Sequence, residues 1–251
     1  MGTSKTHSII TIGSGDKKQV VSGRGPTINV QGKPTQQGSA TGQQCVDLVF
    51  VIDTTGSMSN KIDGLIANCA RFVQEFGALD LDHRVATVSF GDLTVPGDGI
   101  ETSPFSSDVQ TITQSLRCIV RYSGGGNEGE SSLEAIEKAL ALPFRSNAVK
   151  VIILITDEPA LQHRLRAGDL ITALSLREVL TFVISPPYSY FKEMASRNGG
   201  KWYQVAGNTD LDDLLEMFRQ TAHQVSQVVS DVYRVGEGSV SSYLRLKPPQ
   251  T

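Results

Sequence analysis

The chain has 251 residues, of which 39% are apolar and 20% charged, a globular mix that suits one sizeable domain with tails. A net charge of −3 gives no ground for a nucleic-acid partner, and no apolar run approaches the ~18 residues of a membrane span. The three cysteines, Cys45, Cys69 and Cys118, are odd in number and far apart, which argues against a disulfide framework or a zinc knuckle.

In chain order, residues 1–44 are rich in Gly, Ser, Thr, Gln and Lys. Lys5, Lys17, Lys18, Arg24 and Lys33 outweigh Asp16 there, so a mildly basic, polar arm precedes an acidic body. Short alternating stretches at Ile9–Ile12 and Thr27–Val30 suit edge strands or an extended arm. No basic-then-apolar leader is visible, so the expected compartment is a reducing cytoplasm. From Val46 the texture changes. Val46–Ile52 reads as a strand covered on both faces. Met58, Ile62, Leu65, Ile66, Cys69, Phe72, Val73 and Phe76 recur at three and four and predict a long amphipathic helix. Arg84–Phe90 is a second strand, and a short one is expected near Gly99–Ser103. A helix follows with Val109, Ile112, Leu116 and Ile119 on one side and Ser106 or Ser107 as its cap. Cys69 and Cys118 both fall on apolar periods and read as small core residues.

The Gly-rich loop Ser123–Gly129 leads into a helix carrying Leu133, Ile136, Leu140 and Leu142. Val149–Ile155 is the most apolar strand and runs into Thr156-Asp157. A helix at Ala167–Leu176, a strand at Val179–Ser185, a short helix at Tyr190–Ser196 and a strand at Trp202–Val205 come next. The last helix opens with Thr209-x-x-Asp212, a capping-box-like start, and residues 234–251 read as a polar tail. Strands alternating with helices predict an α/β fold, a doubly wound and mostly parallel sheet with helices on both faces, over residues 45–233.

Such sheets bind ligands beyond the C-terminal ends of their strands. Two strand ends carry a carboxylate, Asp53 and Asp157. Neighbouring strands lie about 4.8 Å apart, so if these two are neighbours their carboxylates flank one small volume. Two such anions repel unless one takes a proton or a cation lies between them. Thr55 and Ser57 add hydroxyl oxygens at alternate positions, and Gly56 gives the backbone freedom between them. Carboxylates and hydroxyls are ligands for Mg2+ or Mn2+, with Ca2+ also admissible. The alternative reading is plain helix capping by the same residue types.

The runs VDLVFVIDTTGSMS (46–59), VIILITDEP (151–159) and GGKWYQVAGNTDLDDLLEMF (199–218) resemble a von Willebrand factor A domain, over about Val46–Val232. The resemblance implies a metal-ion-dependent adhesion site, whose D-x-[ST]-x-S loop matches Asp53, Thr55 and Ser57 and whose later aspartate matches Asp157. Gly126 stands where many members have a threonine. The second loop, Ser123–Ile136, is instead similar to that of the integrin β-subunit form. On that alignment Glu130 reaches the metal, and Asn127 replaces an aspartate of a neighbouring cation site. Gly126, Asn127 and Glu158 are then expected at the partner-contacting rim. As an alternative, Glu130 is a first-turn acid favoured by its helix dipole.

The implied function is a non-enzymatic protein–protein interaction module, in which Mg2+ takes a carboxylate from a partner protein, an AAA+ ATPase or another assembly component. Two other readings stand beside it. One is a scaffold with a vestigial metal site. The other is a phosphotransferase, because DTTGS is similar to the D-x-T-G-T loop of haloacid-dehalogenase-type enzymes, where Asp53 would be the nucleophile. Those enzymes place a lysine near the second acid, whereas Lys150 opens its strand roughly 20 Å from Asp157. The G-x-G-x-x-G at Gly124, Gly126 and Gly129 comes too late in the chain for a dinucleotide fingerprint and adjoins Glu128 and Glu130.

Overall fold

Cys45–Asp53 (β1) is buried at every residue and occupies the middle of a six-stranded sheet in this computed structural model, which describes residues 44–78, 81–125, 129–205 and 211–246. The basic arm, Gly126, Asn127 and the Thr209 cap lie outside the described residues. The remaining strands are Asp82–Phe90 (β2), Ile100–Thr102 (β3), Val149–Ile155 (β4), Val179–Ser185 (β5) and Trp202–Gln204 (β6), in the order β3-β2-β1-β4-β5-β6. Every pairing is parallel except that of β2 with β3. The doubly wound, mostly parallel sheet expected from the alternation of elements is the observed one.

The helices are Ile62–Gly77 (α1), Val109–Arg117 (α2), Ser132–Leu140 (α3), Ala167–Leu176 (α4), Ser189–Arg197 (α5), Leu211–Gly236 (α6) and Val240–Leu246 (α7). Side chains alternate across a strand, and β1 uses both faces. Val46, Leu48, Phe50 and Ile52 pack with α1, α2, α6 and α7, while Val49 and Val51 pack with α3, α4 and α5. Phe50 meets Phe72 of α1 at 5.7 Å and Phe218 of α6 at 5.9 Å between ring centroids. Each such fully buried ring contributes about 1.5–3 kcal/mol.

Four local expectations are corrected. A 3-10 turn, Gly56–Met58, precedes α1, so Met58 is buried but outside the α-helix. The cap of α2 is Asp108, whose carboxylate accepts from Thr111 N at 2.7 Å. The Ser106 hydroxyl instead accepts from Asp108 N at 3.1 Å, before the helix begins. Cys118 lies just past α2 and is exposed, unlike the buried Cys69. The stretch expected as a tail from residue 234 holds the end of α6 and all of α7, which places Val240 and Tyr243 in the core. The polar residues Ser239, Ser241 and Ser242 hid that short helix by diluting its apolar period.

Asp47 sits within β1 with 0% exposure and is matched by charge. Arg84 grips it through Nε at 3.0 Å and an amino nitrogen at 2.6 Å, and Arg145 adds Nε at 2.9 Å and its backbone N–H at 2.7 Å. Arg145 also reaches Asp82 at 2.6 Å. At the same end, Tyr233 of α6 donates its hydroxyl to Cys45 O at 2.5 Å and accepts from Cys45 N at 2.7 Å.

The chain leaves β1 toward β2 and β3 on one side, then returns to build β4, β5 and β6 on the other. The order therefore reverses between β1 and β4, and the crevice of the sheet opens at their C-terminal ends.

Candidate metal centre

Register places the site. Ile52 of β1 pairs with Ile155 of β4, so Asp53 and Thr156 follow side by side at the crevice. Both are buried. Asp53 Oδ1 accepts from Thr55 N at 3.0 Å and Thr55 Oγ1 at 2.6 Å, and its Oδ2 accepts from Thr156 Oγ1 at 2.7 Å. Burial still dominates its titration: desolvation pushes the carboxyl up to about 6 against the pull of those three donors, with the Asp157 charge adding to the rise.

The hydrogen bonds continue outward. Thr55 Oγ1 and Ser57 Oγ lie 3.1 Å apart, and Ser57 Oγ donates to Asp157 Oδ1 at 2.8 Å. Ser57 is exposed, so this end of the chain of hydroxyls meets solvent. Asp157 falls past β4 rather than at its last residue, and its Oδ2 takes the Lys61 ammonium at 3.0 Å. Asp53, Thr55, Ser57 and Asp157 are thus joined in one run. Thr156 and Lys61 complete it and were not anticipated. Thr156 could have been found as the hydroxyl before Asp157; Lys61 could have been found as a basic residue four positions after Ser57.

Gly56 serves a close approach more than a turn. Its N–H donates to Ser123 O at 3.1 Å, and a Cβ there would stand 2.9 Å from that oxygen. This contact ties the loop Ser123–Gly125 against the Asp53–Ser57 loop. Gly124 follows with φ +72°, where a Cβ would meet Glu130 Oε1 at 2.9 Å and Thr55 Cβ at 3.0 Å. The Glu130 carboxyl therefore faces Thr55 across a bare glycine.

Glu130 is pinned from the other side as well. Its N–H donates to Pro159 O at 2.9 Å, and its carbonyl accepts from Leu161 N at 2.9 Å. Glu130 is 4% exposed, and its Oε2 is buried with no hydrogen-bond partner among the described residues. Burial, followed by the charges of Asp53, Asp92, Asp98 and Glu158, pushes it up to about 8. Glu158 is half-buried, and burial raises its carboxyl too, with Asp157 adding to the rise and Lys61 opposing it.

Among the described residues no three His, Cys, Asp or Glu side chains converge on a single point. The carboxylates are separated by hydroxyls, which are spent on them as donors. In kind, the donors fit a hard cation, being carboxylate and hydroxyl oxygens, with one buried carboxyl oxygen unpartnered among the described residues.

Residues 47–220, well over half of the chain, match the von Willebrand factor type A domain. The alpha-protein kinase vwkA of Dictyostelium discoideum is 27% identical over 162 residues, a match covering 59% of this chain and 25% of that protein. The chain thus spans about a quarter of the length of that curated relative. Among solved structures, the conserved hypothetical protein BatB from Bacteroides thetaiotaomicron aligns with a TM-score of 0.53 at 17% identity, covering 74% of this chain and 99% of that one. At that identity the likeness is one of fold.

Proposed function

The chain belongs to the von Willebrand factor type A family, and from that premise we propose that it is a protein–protein interaction module working through a divalent cation. Asp53, Thr55, Ser57 and Asp157, with Glu130, would hold the cation, and Mg2+ suits these oxygen ligands best. Bound there, the cation would supply an open coordination position for one Asp or Glu oxygen of the partner. Ser57, exposed at the crevice, marks the side from which that oxygen arrives.

The observation that carries this reading is the buried Glu130 Oε2, without a hydrogen-bond partner among the described residues, beside a second buried carboxylate whose acidity is already weakened. Unpaired buried anions are costly, and a cation offsets that cost. The burial of Asp53, both of whose oxygens accept hydrogen bonds, supports a binding role over that of a nucleophile in phosphoryl transfer. The exposed thiol of Cys118 suits a reducing compartment, and the proposed setting is a cytoplasmic multi-protein assembly that includes an AAA+ ATPase or a similar component.

The test is calorimetric titration of the purified chain with Mg2+, together with affinity capture in Mg2+ or EDTA. Saturable binding that Asp53→Ala abolishes, and partners lost in EDTA, are the expected results. Capture that is indifferent to EDTA and to Asp53→Ala would overturn the reading.

A further inference from the structure

Lys61 stands where local electrostatics disfavours it. It is the N-cap of α1, makes no side-chain capping bond, and presents a cation at the positive end of a helix dipole. Its backbone is nevertheless fixed. The Lys61 N–H donates to Met58 O at 2.9 Å and its carbonyl accepts from Leu65 N at 3.0 Å. Its side chain turns inward, 13% exposed, and places the ammonium 3.0 Å from Asp157 Oδ2, on a carboxylate that is 11% exposed. This is no solvated surface pair, and the contact with Asp157 is what accounts for the lysine.

Both oxygens of Asp157 are thereby engaged, Oδ1 by Ser57 and Oδ2 by Lys61. The two partners differ in kind. A hydroxyl can rotate its proton away and offer a lone pair to a metal. An ammonium has donors only, carries a full charge, and repels a divalent cation at the same carboxylate.

We propose that Lys61 is a tethered competitor for the divalent cation, a built-in counter-ion that holds Asp157 and sets how tightly metal binds. The inference rests on the metal-binding reading of Asp53, Thr55, Ser57 and Asp157. Lys61 is then a specificity-determining residue: it weakens the site for all cations and most of all for those that depend on Asp157. It also gives the acidic crevice a compensating charge of its own, so the fold does not depend on metal for neutrality.

The test compares Mg2+ affinity by calorimetry in the wild-type chain, in Lys61→Met, which keeps the apolar stem and removes the charge, and in Lys138→Met, which removes an exposed charge from α3. Lys61→Gln is the second variant should Lys61→Met fail to fold by circular dichroism. Lys61→Met or Lys61→Gln should bind Mg2+ at least about tenfold more tightly, the scale of one charge-assisted hydrogen bond. Lys138→Met should bind like wild type. In EDTA the Lys61 variants should unfold at lower urea than wild type, and Mg2+ should restore them. Affinity unchanged or lowered by the Lys61 substitutions overturns the inference alone, as does an equal gain in Lys138→Met. Binding by none of the proteins overturns both the inference and the metal reading, whereas binding by the Lys61 variants only supports both.

Discussion

Thr156 Oγ1 stands 2.7 Å from Asp53 Oδ2, joining the ends of two strands that meet where the sheet order reverses. The hydroxyl orients the carboxylate and satisfies its otherwise desolvated oxygen. Thr156→Val keeps the shape and removes the donor, and is expected to cost about 1–3 kcal/mol, read as a lower urea midpoint. Thr156→Ser should stay near wild type. Equal midpoints for wild type and Thr156→Val would mean that Asp53 draws its support from Thr55 alone.

Glu130 is held in a place unfavourable for its charge, first by burial and then by the surrounding carboxylates. Glu130→Gln should therefore melt at a higher temperature than wild type in EDTA, while its Mg2+ affinity falls about tenfold or more. An affinity equal to that of wild type would remove Glu130 from the ligand set and leave it a structural residue of the bridge to Ala160; it cannot be a first-turn acid, because α3 begins at Ser132 and Glu134 holds that place.

Two glycines separate crowding from backbone strain. Gly124 and Gly97 both have positive φ, +72° and +96°, but a Cβ on Gly124 meets Glu130 and Thr55 whereas one on Gly97 meets nothing within 4 Å among the described residues. Both alanine variants should lose about 1–2 kcal/mol to the left-handed backbone. Only Gly124→Ala should also weaken Mg2+ binding. Equal affinities in the two variants would show that the loop yields without disturbing the site.

At the opposite end of β1, Asp47 is buried against Arg84 and Arg145. Asp47→Ala takes the carboxylate from both guanidinium groups, although Arg145 keeps Asp82 and Arg84 keeps Pro143 O, and should destabilise the fold by about 3 kcal/mol in urea melts. A loss below about 1 kcal/mol would show that water and neighbouring carbonyls replace the carboxylate.

Asp82 gives that network its pH dependence. The hydrogen bond from Arg145 holds its carboxyl below the ordinary carboxylate range. A depressed folded value means that the unfolded chain takes up this proton first as pH falls. The contribution is therefore complete above about pH 4 and is lost below it. Asp82→Asn should show a shallower loss of stability below pH 4 and a constant deficit above it. An acid limb as steep as that of wild type would assign the loss to other carboxylates.

The sheet was legible because its strands are long and apolar. Val46–Ile52 and Val149–Ile155 can only be covered on both faces, and the residues after them had to form the crevice. Asp53, Thr55, Ser57 and Asp157 were readable for the same reason, since loop residues beyond buried strands have few structural duties. The two partners of these residues were harder to see. Thr156 looks like the end of an apolar strand, and its role depends on a register that spacing alone does not reveal. Lys61 looks like an ordinary solvated residue between two helical turns, and only the path of the Gly56–Met58 turn aims it at Asp157. Helix α7 was missed because a short, serine-rich segment carries almost no period of its own and takes its helicity from packing on α6.

The bond between Tyr233 and Cys45 bears on how a ribosome can deliver this domain. Among the described residues the first strand is a central one, yet the hydroxyl that closes its leading residue lies on α6, 188 positions later. Until that helix leaves the exit tunnel, Phe50 lacks Phe218 and one flank of β1 stays uncovered. Vectorial synthesis therefore cannot finish this fold piecemeal. A nascent chain stalled before α6 presents an open apolar sheet, and chaperones would have to shield it until α6 emerges.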